Sequence, residues 1–216
     1  MITNNEDKSK KSEKSFSQIK DLKIALKDME PYIKGVKHLI TGREFTNFSL
    51  RLREVLGNWL VCVVGNYNGY NLTFQEDPTG GDGIIFNRDT KGGTYTEHVS
   101  AINNLPNAKP VANSDDFILE KIQDKIDKGK NNDGKYRNKM LVVFIEGMGN
   151  FHPLKIAREI NGRHDFSSVW IFALESNDEE YRYIVIQLST YLANPLIYKV
   201  HIAENFESWT VEVNKP

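Results

Sequence analysis

DPTGGDGIIFNRDTKGGTYTEHVSA, residues 77–101, reads as a hairpin of two strands. The turn clusters DPTGG and RDTKGG punctuate it, and acidic residues stand in the strand bodies as well as in the turns. Asp82 comes directly before Gly-Ile-Ile, and Glu97 lies between Thr96 and His98. A carboxylate in the body of a sheet must be solvated, paired or bound to a cation, because burying it bare costs several kcal/mol. The fold and the chemistry both follow from which of these holds.

Upstream of the hairpin, Tyr70 to Gln75 has strand character, so that this segment, Gly83 to Asn87 and Thr94 to Ile102 form an antiparallel meander. Before it, Leu52, Val55, Leu56, Trp59, Leu60 and Val63 make a broad apolar stripe at helical spacing. That helix is expected over residues 47–64, with Thr46 as its cap and Gly65 with the NYNGYN run as its end. From Phe16 onward, Ile19, Leu22, Ile24, Leu26 and Met29, then Ile33, Val36, Leu39 and Ile40, predict a helical pair broken or kinked at Pro31. Residues 1–14 carry almost nothing to bury and read as a disordered tail.

Downstream, Asn113 or Ser114 caps a helix with Asp115 and Asp116 in its first turn and Phe117, Ile118, Ile122 and Ile126 along one face. LVVFIEG (141–147) holds a continuous apolar run and VWIFAL (169–174) is fully apolar, as in strands buried on both faces, and Pro153 opens a helix between them. Strand, helix and strand in that order imply a parallel crossover. YRYIVIQL, LIYKVHI and WTVEV add further strands, the last at a sheet edge. No internal repeat is present.

Length and composition, 216 residues with 39% hydrophobic and 26% charged, describe an ordinary globular chain with one main core. A formal net charge of −1 lowers the expectation of an obligate nonspecific DNA binder, although a local basic stripe would matter more than the sum. The single Cys62 sits in the apolar run WLVCVV, forms no internal disulfide and fits a reducing cytoplasm. No apolar stretch is long enough to span a bilayer, and the charged N-terminus has no hydrophobic region behind it, so no membrane partner is expected.

The order helix, three meander strands, helix, strand, helix, strand, with an acid on the second strand and another on the third, resembles the PD-(D/E)xK nuclease fold of many restriction endonucleases. The resemblance covers about residues 46–174. It implies an α/β fold with a restriction-endonuclease-like mixed central sheet flanked by helices, spanning residues 46–216 behind an N-terminal helical extension over residues 15–45. It also implies a divalent-metal-dependent endonuclease hydrolysing DNA phosphodiester bonds. Asp82 and Glu97 take the positions of the metal-binding acids, with Mg²⁺ or Mn²⁺ as the ion. Double-stranded DNA is the implied substrate, and a homodimer would match a palindromic duplex. Glu54, on the helix before the meander, is a candidate third acid. Two residues after the glutamate the family commonly carries a lysine that orients the attacking water. Here that residue is Val99, which can neither donate a hydrogen bond nor carry charge. Lys91 or another side chain would have to substitute, and Lys91 is the candidate. Without a substitute, the chain is a nuclease-fold domain that has lost catalysis and serves as a binding or interaction module. A sheet that merely shares this architecture is a further reading.

Each residue also has a plain structural reading. Asp82 is an ordinary turn residue after Gly80 and Gly81, Glu97 an exposed strand residue paired with a base, and Glu54 part of a polar helix face with Arg51, Arg53 and Asn58. His98, on the opposite face from Glu97, is a packed or exposed histidine, or else a proton shuttle. Glu146, Glu76 and Asp77 read as solvated strand ends or auxiliary acids; Lys155, Arg158, Arg163 and His164 read as solvated charges or phosphate contacts. No phosphate-binding loop, multi-cysteine zinc site or hydrolase nucleophile motif is present.

Overall fold

The structure is a computed structural model that describes residues 19–35, 50–103, 112–177, 180–188 and 194–214. The tail at 1–14, the proposed Thr46 cap and the second half of the N-terminal helical pair lie outside the described residues.

Four helices and eight strands are described: α1 Leu22–Lys34, α2 Leu52–Tyr67, β1 Leu72–Gln75, β2 Ile84–Asn87, β3 Gly92–Ile102, α3 Ser114–Lys130, β4 Met140–Glu146, α4 Pro153–Ile160, β5 Ser168–Ser176, β6 Tyr181–Gln187, β7 Leu196–Ile202 and β8 Trp209–Asn214. The strands form one mixed sheet in sequential order from β1 to β8. The β1–β2–β3 meander is antiparallel, β3, β4 and β5 run parallel, and β5 to β8 return to antiparallel pairing. The two parallel steps are those bridged by α3 and α4, as parallel pairing requires. WTVEV, inside β8, is at the sheet edge as the sequence indicates.

Alternation along β4 explains the layering. Val142 and Phe144 point into a core shared with α1 and α2, while Leu141, Val143 and Ile145 point into a second core with α3 and α4. Helix α2 touches β1, β2, β4 and β6 to β8, so the sheet curls around it. Enclosure on nearly all sides is why its apolar stripe is so wide. Helix α1 joins the same core through Leu26, Met29 and Ile33, and the Trp59 indole donates to the Leu22 carbonyl at 2.9 Å.

Three boundaries differ from the sequence expectation. Helix α1 runs through Pro31, whose missing N–H falls near the C-terminal end, where Met29 and Ile33 remain anchored in the core. Helix α2 begins at Leu52 with Arg51 as its N-cap residue, and continues through Gly65 to Tyr67. Gly65 does not stop the helix but admits β1: a Cβ there would lie 2.4 Å from Leu72 Cδ1. Among the described residues no helix is long and apolar enough to cross a membrane.

Candidate functional site

Register sets the site. The first residues of β3 pair with β2, and from Thr96 onward β3 pairs with β4, Glu97 standing opposite Leu141. Alternation turns Glu97 and Val99 toward α3 and His98 toward α2. Glu97 is therefore not exposed: it is 7% accessible, and both its oxygens are paired. Lys139 Nζ donates to Oε1 at 2.6 Å, and Lys125 Nζ lies 2.8 Å from Oε2. Lys125 reaches in from α3, and Lys139 ends the connection just before β4. The Tyr136 ring supports both ammoniums, with Lys125 at 4.7 Å and Lys139 at 5.5 Å from its centroid.

Asp82, half-buried, approaches the same strand from the start of β2. Its Oδ2 accepts the His98 backbone N–H at 2.7 Å, filling the place that β2 vacates after Gly83. Its backbone carbonyl accepts Asn58 Nδ2 at 3.0 Å. The next residue has to be glycine: Gly83 has φ +129°, and a Cβ there would fall 2.4 Å from Asn58 Nδ2. Lys125 joins the two acids, because its ammonium is bonded to Glu97 and feels the Asp82 charge, with the His98 carbonyl 3.4 Å away. Burial pulls the Lys125 ammonium down, but Glu97, with Tyr136 and Asp82, outweighs it and holds the group above its ordinary value. Lys125 is a charged donor at neutral pH.

His98 is held on the other face. Asn58 gives its amide N–H to Asp82, so its Oδ1 faces His98 Nε2 at 3.1 Å, and that nitrogen carries the ring proton. Nδ1 is left buried, with no partner among the described residues. Burial first, then the Lys125 and Arg53 charges, depress the imidazole to about 3 against a smaller opposing pull from Glu97. The ring is neutral at physiological pH, which matches the packed-histidine reading and not a proton shuttle.

Glu54 and Asn58 are one turn apart on α2, and both are buried, so the exposed polar face expected there is not found. Glu54 accepts the Arg51 backbone N–H at 2.9 Å and the Arg51 guanidinium at 2.8 Å, an arrangement that closes the helix N-terminus. Arg53 lies within electrostatic range of Glu54, Arg51 and Asp82, and burial lowers it from its ordinary value. Lys91 is not brought to the acids. It occupies the exposed β2–β3 turn at φ 58°, where Asn87 faces Gly92, whereas Ile84 and Tyr95 next to the acids mark the other end of that ladder. Asp77 binds Thr79 and the Gly81 N–H within its own turn, and Glu76 pairs with Lys20 at 3.8 Å. Lys155 is drawn to Asp115, whose carboxyl also accepts the His152 N–H at 2.6 Å.

The site therefore unites Glu97, Lys125 and Lys139, with Asp82 on the neighbouring residue's N–H and within electrostatic range of Lys125; Asn58 steadies Asp82, and Lys91 is left out. Reading the sequence missed both lysines. Lys125 carried a signal, since it lies three residues after Ile122 and thus on the apolar stripe of its helix, where an unpaired lysine would be costly. Among the described residues, no three His, Cys, Asp or Glu side chains converge to cage an ion. Comparisons with protein-family models, with curated proteins and with solved structures gave no match.

Proposed function

We propose that this chain is a divalent-metal-dependent nuclease domain of restriction-endonuclease type, acting on DNA with Asp82 and Glu97 as metal ligands and Lys125 in the role vacated at Val99. The observation that carries this reading is Lys125, an ammonium from a different element that is paired with Glu97 and lies within electrostatic range of Asp82. The donor set fits magnesium or manganese: both ions favour oxygen, and magnesium is commonly held by one or two carboxylates with water completing the shell. Asp82 Oδ1 has no protein partner among the described residues. When bound, the ion would supply positive charge against the scissile phosphate and a more acidic water.

The chain's own groups then divide the work. Lys125, permanently charged, donates to the attacking water or to a non-bridging phosphate oxygen, as a preorganised cation that needs no rearrangement at the moment of reaction. Asn58 fixes the Asp82 main chain. Lys139 offers a second cation for the phosphate, and Arg53 a third near Asp82. Glu54 stays with the helix terminus. A twofold assembly on duplex DNA fits this reading.

One observation favours a second reading, a catalytically inactive interaction module: both Glu97 oxygens are already neutralised by lysines, which the ion would have to displace. Thermal unfolding with and without saturating Mg²⁺ or Mn²⁺ separates the two. Binding at a hundred times Kd contributes about 2.7 kcal/mol, which raises Tm by about 5–10 °C for a chain of this size. The nuclease reading expects that rise in the wild type and its loss in Asp82→Asn. No metal-dependent rise leaves the inactive module.

A further inference from the structure

The β2–β3 arm overhangs the parallel part of the sheet, because β4 begins only at Met140, opposite Thr96. Between this arm and the ends of β5 to β7 lies a groove of about 970 Å³, within the range of sites that enclose a small organic ligand. Among the described residues, no Lys, Arg, Asp or Glu lines it. Its lining exposes the Tyr70 ring, while Phe166, Trp170 and Tyr198 are almost wholly buried, and hydrogen-bonding groups come from neutral amides and hydroxyls. Its one imidazole, His164, is held below the ordinary value chiefly by burial, so it too is neutral at physiological pH. The side chains of Asn161, Gln187, Thr94 and Ser167 have no hydrogen-bond partner among the described residues.

Such a lining offers nothing to a phosphate and little to a cation. It suits a flat, neutral ligand with several donors and acceptors on its edge, which describes a nucleobase taken out of its stack. The groove also adjoins the charged cluster through one ring. Phe166 stacks on Tyr136, with centroids 6.1 Å apart and planes 15° apart, and Tyr136 carries Lys125 and Lys139 on its face.

We infer that this groove binds an unpaired nucleobase of the strand whose phosphate is held at Lys125 and Lys139. The inference rests on the nuclease reading and sharpens its substrate: the strand is single or has a base swung out of the duplex. Free amides at Asn161 and Gln187 read the edge of the base, and the exposed Tyr70 ring offers a stacking surface for its face.

The test compares binding of a short oligothymidylate with binding of a strand of the same length whose central nucleotides are abasic, for the wild type and for Asn161→Ala/Gln187→Ala. Both side chains reach solvent, so the fold is expected to survive, and far-ultraviolet circular dichroism checks this. The wild type is expected to prefer the intact strand about tenfold, on the scale of a single stacked base. The double variant is expected to reduce that preference to what stacking alone supplies, while leaving the abasic strand's affinity unchanged. Equal binding of both strands by the wild type, or equal weakening of both in the variant, overturns the groove assignment and leaves the nuclease reading standing. Binding of neither strand, in the presence or absence of duplex flanks, overturns both.

Discussion

Two buried glutamates of this chain are neutralised in different ways. Glu54, in the first turn of α2, is paired with Arg51 three residues away and accepts that residue's own backbone N–H. Glu97, in β3, takes one ammonium from α3 and another 42 residues distant, ahead of β4. Glu54 completes a helix end, and any chain that begins a helix there needs something of the kind. Glu97 has no such local duty. Neither strand pairing nor turn formation requires a carboxylate with two lysines at that position. Two side chains from separate segments meeting one carboxylate are the arrangement expected of a site and not of a cap.

The largest effect expected from breaking this comparison is Glu97→Ala. Removing the anion strands two partly buried ammoniums, and loss of one partner from a buried pair costs about 3–5 kcal/mol; the partial exposure of both lysines places this near the lower figure. Urea unfolding measures it directly, and a loss below that of Glu54→Ala would remove the contrast between the two residues.

The next effect concerns His98. Its ring is neutral in the fold and titrates normally, near 6.5, once unfolded; in the fold it is depressed to about 3. As pH falls below 6.5 the unfolded chain therefore binds the proton first. The stability contributed by the neutral ring is complete above pH 6.5 and is lost progressively toward pH 3. Because the residue keeps some exposure, the loss over that window is expected to be about 2 kcal/mol, less than the full shift implies. Lys125, Arg53 and Glu97 are the charges that act on the ring. His98→Gln, which retains an N–H donor for Asn58, is expected to flatten the stability-against-pH curve between 6.5 and 3 without changing its alkaline side. An unchanged acid slope would assign the acid sensitivity to other groups.

Smallest is Glu54→Ala, expected to cost about 1 kcal/mol, the usual range for a helix N-terminal hydrogen bond and charge. Its effect on any DNA-cleaving activity should be no larger than its effect on stability. A specific loss of activity in Glu54→Ala would make it a third acid of the site.

How legible these features were in the sequence depended on range. The crossover could be read because LVVFI and VWIFAL are apolar at every position, and Pro153 stands where a helix can begin. Alternation alone separated His98 from Glu97. The same local rules misjudged Gly65, read as a stop when it is a contact with Leu72, because glycine serves both purposes and only the tertiary neighbour decides. They misjudged Asn58 and Glu54 as exposed, since polar residues on a helix look solvated until a strand such as β2 is seen to close over them. Lys91, the candidate substitute for the missing lysine, is carried by the hairpin to the far turn. Lys125 and Lys139 act across the sheet–helix interface, and no spacing within the hairpin points to them.

Cleavage of plasmid DNA in Mg²⁺ or Mn²⁺ tests the central claim most directly, with wild type, Glu97→Gln, Lys125→Met and Lys91→Ala compared. Metal-dependent cutting by the wild type is predicted, with no detectable activity in Glu97→Gln, a loss of about 10²–10³-fold in Lys125→Met and an unchanged rate in Lys91→Ala. A wild type that does not cut, or cutting that survives intact in both Glu97→Gln and Lys125→Met, would contradict a nuclease centre at the β2–β3–α3 junction.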